Sequence, residues 1–192
     1  FTTINSAIIL HVLQDPAYLL PCPASGAVAD GLSIADCSSP PNNVGTVPWA
    51  TIGLSAQDAI DGYGNQVVYA VSAGPLEACE TALGVATGNV SVGTMDAGET
   101  LATSSPYLYA LVSQGPNRFG SFSETGATRA APVSIEEDEN CAFGSTCSAG
   151  TTSFIDTGPF DDSSGDLTTI LDDEVFLSSA NDYTTECLNF AP

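Results

Sequence analysis

Between Thr2 and Gln14 the apolar residues fall at helical spacing, with Ile4, Ile8 and Val12 at i, i+4 and i+8 and Ile9 and Leu13 widening the stripe. Asp15-Pro16 then stops the helix, since proline cannot continue it and disfavours helical backbone in the residue before it. Pro21, Pro23, Gly26, Gly31, Pro40, Pro41 and Gly45 mark a long irregular segment after it. Ser55-Ala56-Gln57-Asp58 has the form of a short helix start with Ser55 as N-cap, and Pro75 to Leu83, ended by Gly84, has the form of another. Further along, β-branched and aromatic residues cluster between turn residues, predicting strands over Gln66 to Val71, Tyr107 to Ser113, Arg118 to Phe122 and Glu174 to Leu177. Gln114-Gly115-Pro116-Asn117 supplies turn chemistry for an antiparallel hairpin between the middle two. One helix first and strands afterwards is the order of an α+β fold, in which an N-terminal helix packs on an antiparallel sheet. The 192 residues fit a single domain, with 1–14 the helix, 15–46 a disulfide loop, and 47–192 sheet and loops.

The chain holds 23 acidic residues against only Arg118 and Arg129, a formal net charge of −21. Affinity for nucleic acid comes from Lys and Arg displacing counterions from phosphate, so nucleic-acid partners are excluded, and anionic membrane surfaces are disfavoured for the same reason. Hydrophobic residues make up 43%, which separates the chain from disordered acidic tails. The unbroken apolar run Ala7 to Leu10 falls far short of the roughly 18 to 20 residues that span a bilayer.

Six cysteines, Cys22, Cys37, Cys79, Cys141, Cys147 and Cys187, occur with no C-x-x-C and no neighbouring histidine. That pattern favours structural disulfides in an exported protein over zinc, haem or thioredoxin-type chemistry. Cys22 and Cys37 flank the turn-rich stretch after the helix and are expected to pair; closing a loop of that size contributes about 3 kcal/mol, chiefly by restricting the unfolded chain. Of the three pairings open to the other four, Cys141 with Cys147 and Cys79 with Cys187 is the one expected.

Four segments follow in order: Leu20-Pro21-Cys22-Pro23; Val47-Pro48-Trp49-Ala50-Thr51-Ile52-Gly53-Leu54; Asp61-Gly62-Tyr63-Gly64-Asn65-Gln66-Val67-Val68-Tyr69-Ala70-Val71; and Leu111-Val112-Ser113-Gln114-Gly115-Pro116-Asn117-Arg118-Phe119-Gly120. The series resembles the globular domain of bacterial prepilin-like proteins, the type IV pilins and type II secretion pseudopilins. In that family a long N-terminal helix runs into an L-P-C-P turn, a V-P-W segment follows, and a D-x-[WY]-G-N turn enters the first sheet strand. Asp172-Asp173-Glu174-Val175 corresponds to the family's final strand. The resemblance implies an extracellular or cell-surface structural subunit that acts by assembly, with copies of itself and other pilin-like subunits as partners and with Ile4, Ile8 and Val12 as the assembly helix face, packing on the sheet or on neighbouring subunits. Family members begin with a membrane-inserted helix carrying glutamate at position five; this chain has Asn5, so residues 1–14 are expected to be the C-terminal half of such a helix, and membrane contact to come only through the remainder. Trp49 is expected to anchor the core, and Tyr63 to pack inward from its glycine-flanked turn.

Hydrolase chemistry needs a nucleophile beside a base. The single histidine, His11, lies on the first helix, no G-x-S-x-G occurs, and no pair of carboxylates is singled out, so no enzymatic activity is expected. Asn89-Val90-Ser91 has the N-glycosylation acceptor pattern. Acidic clusters lie at 136–140, 161–166 and 172–174. No cofactor is required, but Ca²⁺ takes six to eight oxygen ligands, and Asp161, Asp166 and Asp172 are the candidate ligands. The alternative function is a secreted adhesin or glycan-binding module that depends on calcium. A net charge of −21 on each copy opposes self-association unless ions screen or bridge it. Millimolar calcium is expected to raise both the melting temperature and self-association above their values in sodium chloride of matched ionic strength. Equality of the two salts would exclude a specific calcium site.

Overall fold

The computed structural model describes residues 1–39, 41–72, 90–93, 104–131, 140–141, 153–155 and 174–178. Its helix α1 runs from Thr2 to Gln14, as the apolar spacing predicts. Strands β1 (Val44–Thr46), β2 (Val68–Val71), β5 (Tyr109–Ser113) and β7 (Glu174–Ser178) form an antiparallel sheet in the order β1-β2-β5-β7. A second sheet has β3 (Val90–Gly93) between β4 (Ser104–Tyr107) and β6 (Ser153–Ile155), antiparallel to the first and parallel to the second. The fold of the described residues is α+β.

Strands β2 and β5 are buried along their whole length, which is why they read as continuous apolar runs rather than as alternating ones. Tyr69 and Val71 of β2 and Tyr109 and Leu111 of β5 share one buried cluster with Ile4, Ile8 and Val12 of α1. Val68 and Ala70, with Ala110 and Val112, belong to a second cluster with Val44 and with Val90 of β3. Strand alternation thus sends every other residue into a different core. Ile8 and Val12 are completely inaccessible, whereas Leu10, on the opposite side of the helix, is 56% exposed. The Tyr69 and Tyr109 rings meet edge to face, 5.6 Å between centroids, and Phe1 meets Phe176 of β7 at 6.0 Å.

Cys22 and Cys37 are bonded, as expected. Cys141 is also disulfide-bonded; the expected pairings of Cys141 with Cys147 and of Cys79 with Cys187 lie outside the described residues, as does the helix expected from Pro75 to Leu83. The segment 15–46, expected to be irregular, contributes strand β1. Its chain is tied to that strand by reciprocal backbone bonds between Ala24 and Thr46, at 2.9 and 3.0 Å. Gly31 stands at φ +67, and a Cβ there would meet the Trp49 indole at 2.2 Å, so the disulfide loop closes over the tryptophan only because glycine is present. Trp49 is half-buried and packed against the main core cluster, as expected of an anchor.

Two strand expectations are corrected. The run Tyr107 to Ser113 is divided at Leu108, with β4 in one sheet and β5 in the other. The hairpin between that run and 118–122 does not form, since both edges of β5 are taken by β2 and β7. Arg118 and Gly120 have φ of +65 and +69, which a strand cannot accommodate. Phe122 and Ser123 instead make isolated bridges to Thr128 and Asn65.

Replacing Ile8 with alanine removes a side chain from the shared core and is expected to cost about 3 kcal/mol in urea unfolding. Leu10→Ala, on the exposed side, should change stability by under about 0.5 kcal/mol. Equal costs would mean that α1 does not pack by its Ile4, Ile8 and Val12 face.

Candidate functional site

Three residues singled out for assembly, Ile4, Ile8 and Val12, face the chain's own sheet. Asn5, on the same helix, accepts a hydrogen bond from the Tyr109 hydroxyl. This bond and the apolar stripe fix α1 against β5 from two sides. The Tyr69 hydroxyl donates to the Pro21 carbonyl at 3.0 Å, linking β2 to the turn after the helix. Burial pushes that phenol well above its ordinary pKa, with Tyr109 beside it adding to the shift, so the hydroxyl remains a neutral donor.

At the N-terminal end of α1 lies an open cleft of about 530 Å³, bordered by Phe1, Ile4, Asp58, Asp61, Ser113 and Glu174 among others. Asp61 organises its floor. One carboxylate oxygen accepts the backbone N–H groups of Tyr63 and Asn65, each at 2.9 Å. The other accepts the Asn65 amide at 3.2 Å and the Ser113 hydroxyl at 3.0 Å. The turn 61–65 is therefore folded around a carboxylate and clamped to the end of β5. That tight turn projects Tyr63 outward, 45% exposed, which corrects the expectation that it packs inward. Gln66 follows, buried, and its amide donates to the carbonyls of Gly26 and Ser123 at 2.9 and 2.8 Å. One side chain thus joins the disulfide loop, β2 and the 118–130 segment.

Ser55 is the N-cap of a short 3-10 helix, Ala56–Ala59, as its sequence predicts. Its hydroxyl and N–H donate to Asp58 at 2.6 and 3.0 Å, and these bonds, the side-chain one first, hold the Asp58 carboxyl below the usual range. A lowered carboxyl favours the folded state above the unfolded pKa, and that contribution is lost as pH falls through the folded one. A second groove of about 210 Å³ is bordered by Trp49, Gln57, Gln66 and Glu124 among others.

The expected calcium ligands Asp161, Asp166 and Asp172 lie outside the described residues, and so does Asn89 of the glycosylation pattern. Among the described residues no group of three or more His, Cys, Asp or Glu is placed to hold a metal ion. No helix among them is long and apolar enough to cross a membrane. Sequence reasoning did not single out Asp61, Ser113 or Gln66. Asp-Gly followed by Gly-Asn signals the turn itself, but nothing local announces partners as distant as Ser113 or Gly26.

Asp61→Ala would leave the Asn65 N–H and the Ser113 hydroxyl without their acceptor and is expected to destabilise the protein by about 2 kcal/mol, read from the urea midpoint. Glu174→Gln, exposed on the same cleft, should be within about 0.5 kcal/mol of the parent. Comparable losses would mean that the Asp61 bonds hold the turn no better than an exposed carboxylate does. No family model matches the chain, and no curated protein and no solved structure matches it.

Proposed function

We propose that this chain is a structural subunit of an extracellular type IV pilus-like or pseudopilus filament, acting by assembly rather than by turnover. The observation that carries the reading is the order of parts. An apolar-striped helix leads through Leu20-Pro21-Cys22-Pro23 into a disulfide-closed loop, then the Trp49 segment, then the Asp61–Asn65 turn into a sheet strand. The arrangement suits a subunit that must keep its shape while being pulled against neighbours. Core packing, a covalent staple and the Asp61 clamp hold its loops to the sheet without relying on partners.

Because Ile4, Ile8 and Val12 are spent on the chain's own core, contacts between subunits at the helix fall on its other side. There Leu10 is 56% exposed, and Leu19 just beyond the helix is 36% exposed. The acidic surface keeps free subunits apart and soluble before assembly.

The test is immunogold electron microscopy of material sheared from the surface of the cells that make the protein, with antibody raised against residues 1–192. Label along filaments is the expected result. Recovery of the chain only as unassembled protein would overturn the reading.

A further inference from the structure

Two Asp-Gly steps occur in the chain, Asp30-Gly31 and Asp61-Gly62, and no Asn-Gly. An aspartate before glycine can rearrange without an enzyme, because no Cβ on the following residue shields its backbone nitrogen. That nitrogen attacks Cγ of the aspartate, and the new N–Cγ bond closes a five-membered succinimide. One carboxyl oxygen leaves as water, taking the glycine N–H proton and the carboxyl proton with it. Water then reopens the ring. Cleavage of the N–Cγ bond restores aspartate, whereas cleavage between the nitrogen and the former main-chain carbonyl carbon leaves isoaspartate, with one methylene added to the main chain. The water lost in the first step is regained in the second, and nothing is oxidised or reduced.

Both steps adopt the same local turn. An oxygen of Asp30 accepts the Leu32 N–H at 3.0 Å, and an oxygen of Asp61 accepts the Tyr63 N–H at 2.9 Å, so each side chain folds back over the peptide to its own glycine. Beyond the turn they differ. Asp30 is exposed, and its carboxylate can turn by exchanging that bond for water. Asp61 is half-buried, and the Asn65 N–H, the Asn65 amide and the Ser113 hydroxyl engage both of its oxygens. Whichever oxygen leaves, two of its four bonds are broken. The exposed step also precedes the more constrained glycine. Gly31 is buried, its carbonyl accepts the Ala50 and Thr51 N–H groups at 3.0 and 3.3 Å, and a Cβ on it would meet the Trp49 indole at 2.2 Å. A methylene added immediately before Gly31 shifts it against partners that leave no room.

We infer that Asp30-Gly31 is a site of spontaneous isoaspartate formation in the folded protein, that the Asp61 clamp protects Asp61-Gly62 from the same reaction, and that conversion at Asp30 loosens the disulfide loop from Trp49. The chemistry needs neither a partner nor a filament.

The test incubates the full chain, disulfides intact, for weeks at physiological temperature in mildly acidic buffer, beside a sample reduced and unfolded in guanidinium chloride. Peptide mapping with electron-transfer fragmentation measures isoaspartate at each position. Comparable conversion of Asp30 and Asp61 is expected in the unfolded sample. In the folded one Asp30 should convert at least tenfold faster, since tenfold in rate is about 1.4 kcal/mol, the worth of about one hydrogen bond to a charged group. Ser113→Ala should raise conversion at Asp61 and leave Asp30 at its parental rate. Trp49 is the only tryptophan, so its emission reports on the loop. It should move to the red in step with conversion and stay unchanged in Asp30→Glu, whose longer side chain would have to close a six-membered ring. Equal rates at the two steps in the folded protein, or conversion confined to the unfolded sample, overturn the site. A rate at Asp61 untouched by Ser113→Ala, or a rise shared equally by Asp30, overturns the protection, and converted protein with unshifted emission overturns the coupling to Trp49.

Discussion

Everything described in this molecule depends on two adjacent strands being buried on both faces. β2 and β5 sit side by side in the middle of the four-stranded sheet, and each contributes alternate residues to two separate clusters. One cluster exists because α1 covers it, the other because β3 contributes Val90 beneath the opposite face. Neither layer could be exchanged for solvent without exposing completely inaccessible side chains, Tyr69, Tyr109 and Leu111 on the α1 side and Val68, Ala110 and Val112 on the other. The helix is therefore a structural member of the domain whatever else it does.

Polar contacts complete what apolar burial begins. Tyr69 and Tyr109 supply large apolar rings to the core, and each directs its hydroxyl to a named acceptor, Pro21 in the turn after the helix and Asn5 within it. The Asn5 partner lies within the same domain, so this position of α1 is absorbed into the domain's own fold. Asp61 and Gln66 do for the loops what the tyrosines do for the helix, joining segments distant in sequence through side-chain to backbone bonds.

How much of this could be read from the residues alone depended on whether the signal was local. α1 was legible from end to end because apolar spacing and Asp15-Pro16 are both written within one short stretch. The Ser55 cap, β2, β7 and the Cys22 to Cys37 bridge were legible for similar reasons. What failed was pairing. Gln114-Gly115-Pro116-Asn117 has good turn residues, but whether a turn becomes a hairpin is decided by which strands reach the edges of β5 first, and β2 and β7 are supplied from far away. β1 was missed because Val44-Gly45-Thr46 is only three residues long and contains a glycine. The division at Leu108 was hidden because β4 and β5 are almost contiguous and differ only in the sheet they join. The Asp61 clamp was half visible: its turn is local, its partner Ser113 is not.

The pairing of β5 with β7 also bears on when the domain becomes a domain. Sheet order β1-β2-β5-β7 places the strand from Glu174–Ser178 beside one drawn from the middle of the chain, while α1 at the start lies over both middle strands. Such contacts join points remote in sequence, and their loop-closure entropy must be met before they return any stabilisation. A chain emerging vectorially from a ribosome therefore has no complete sheet until its late portion is available. A topology that postpones its own closure in this way leaves one edge of β5 open until the β7 segment arrives.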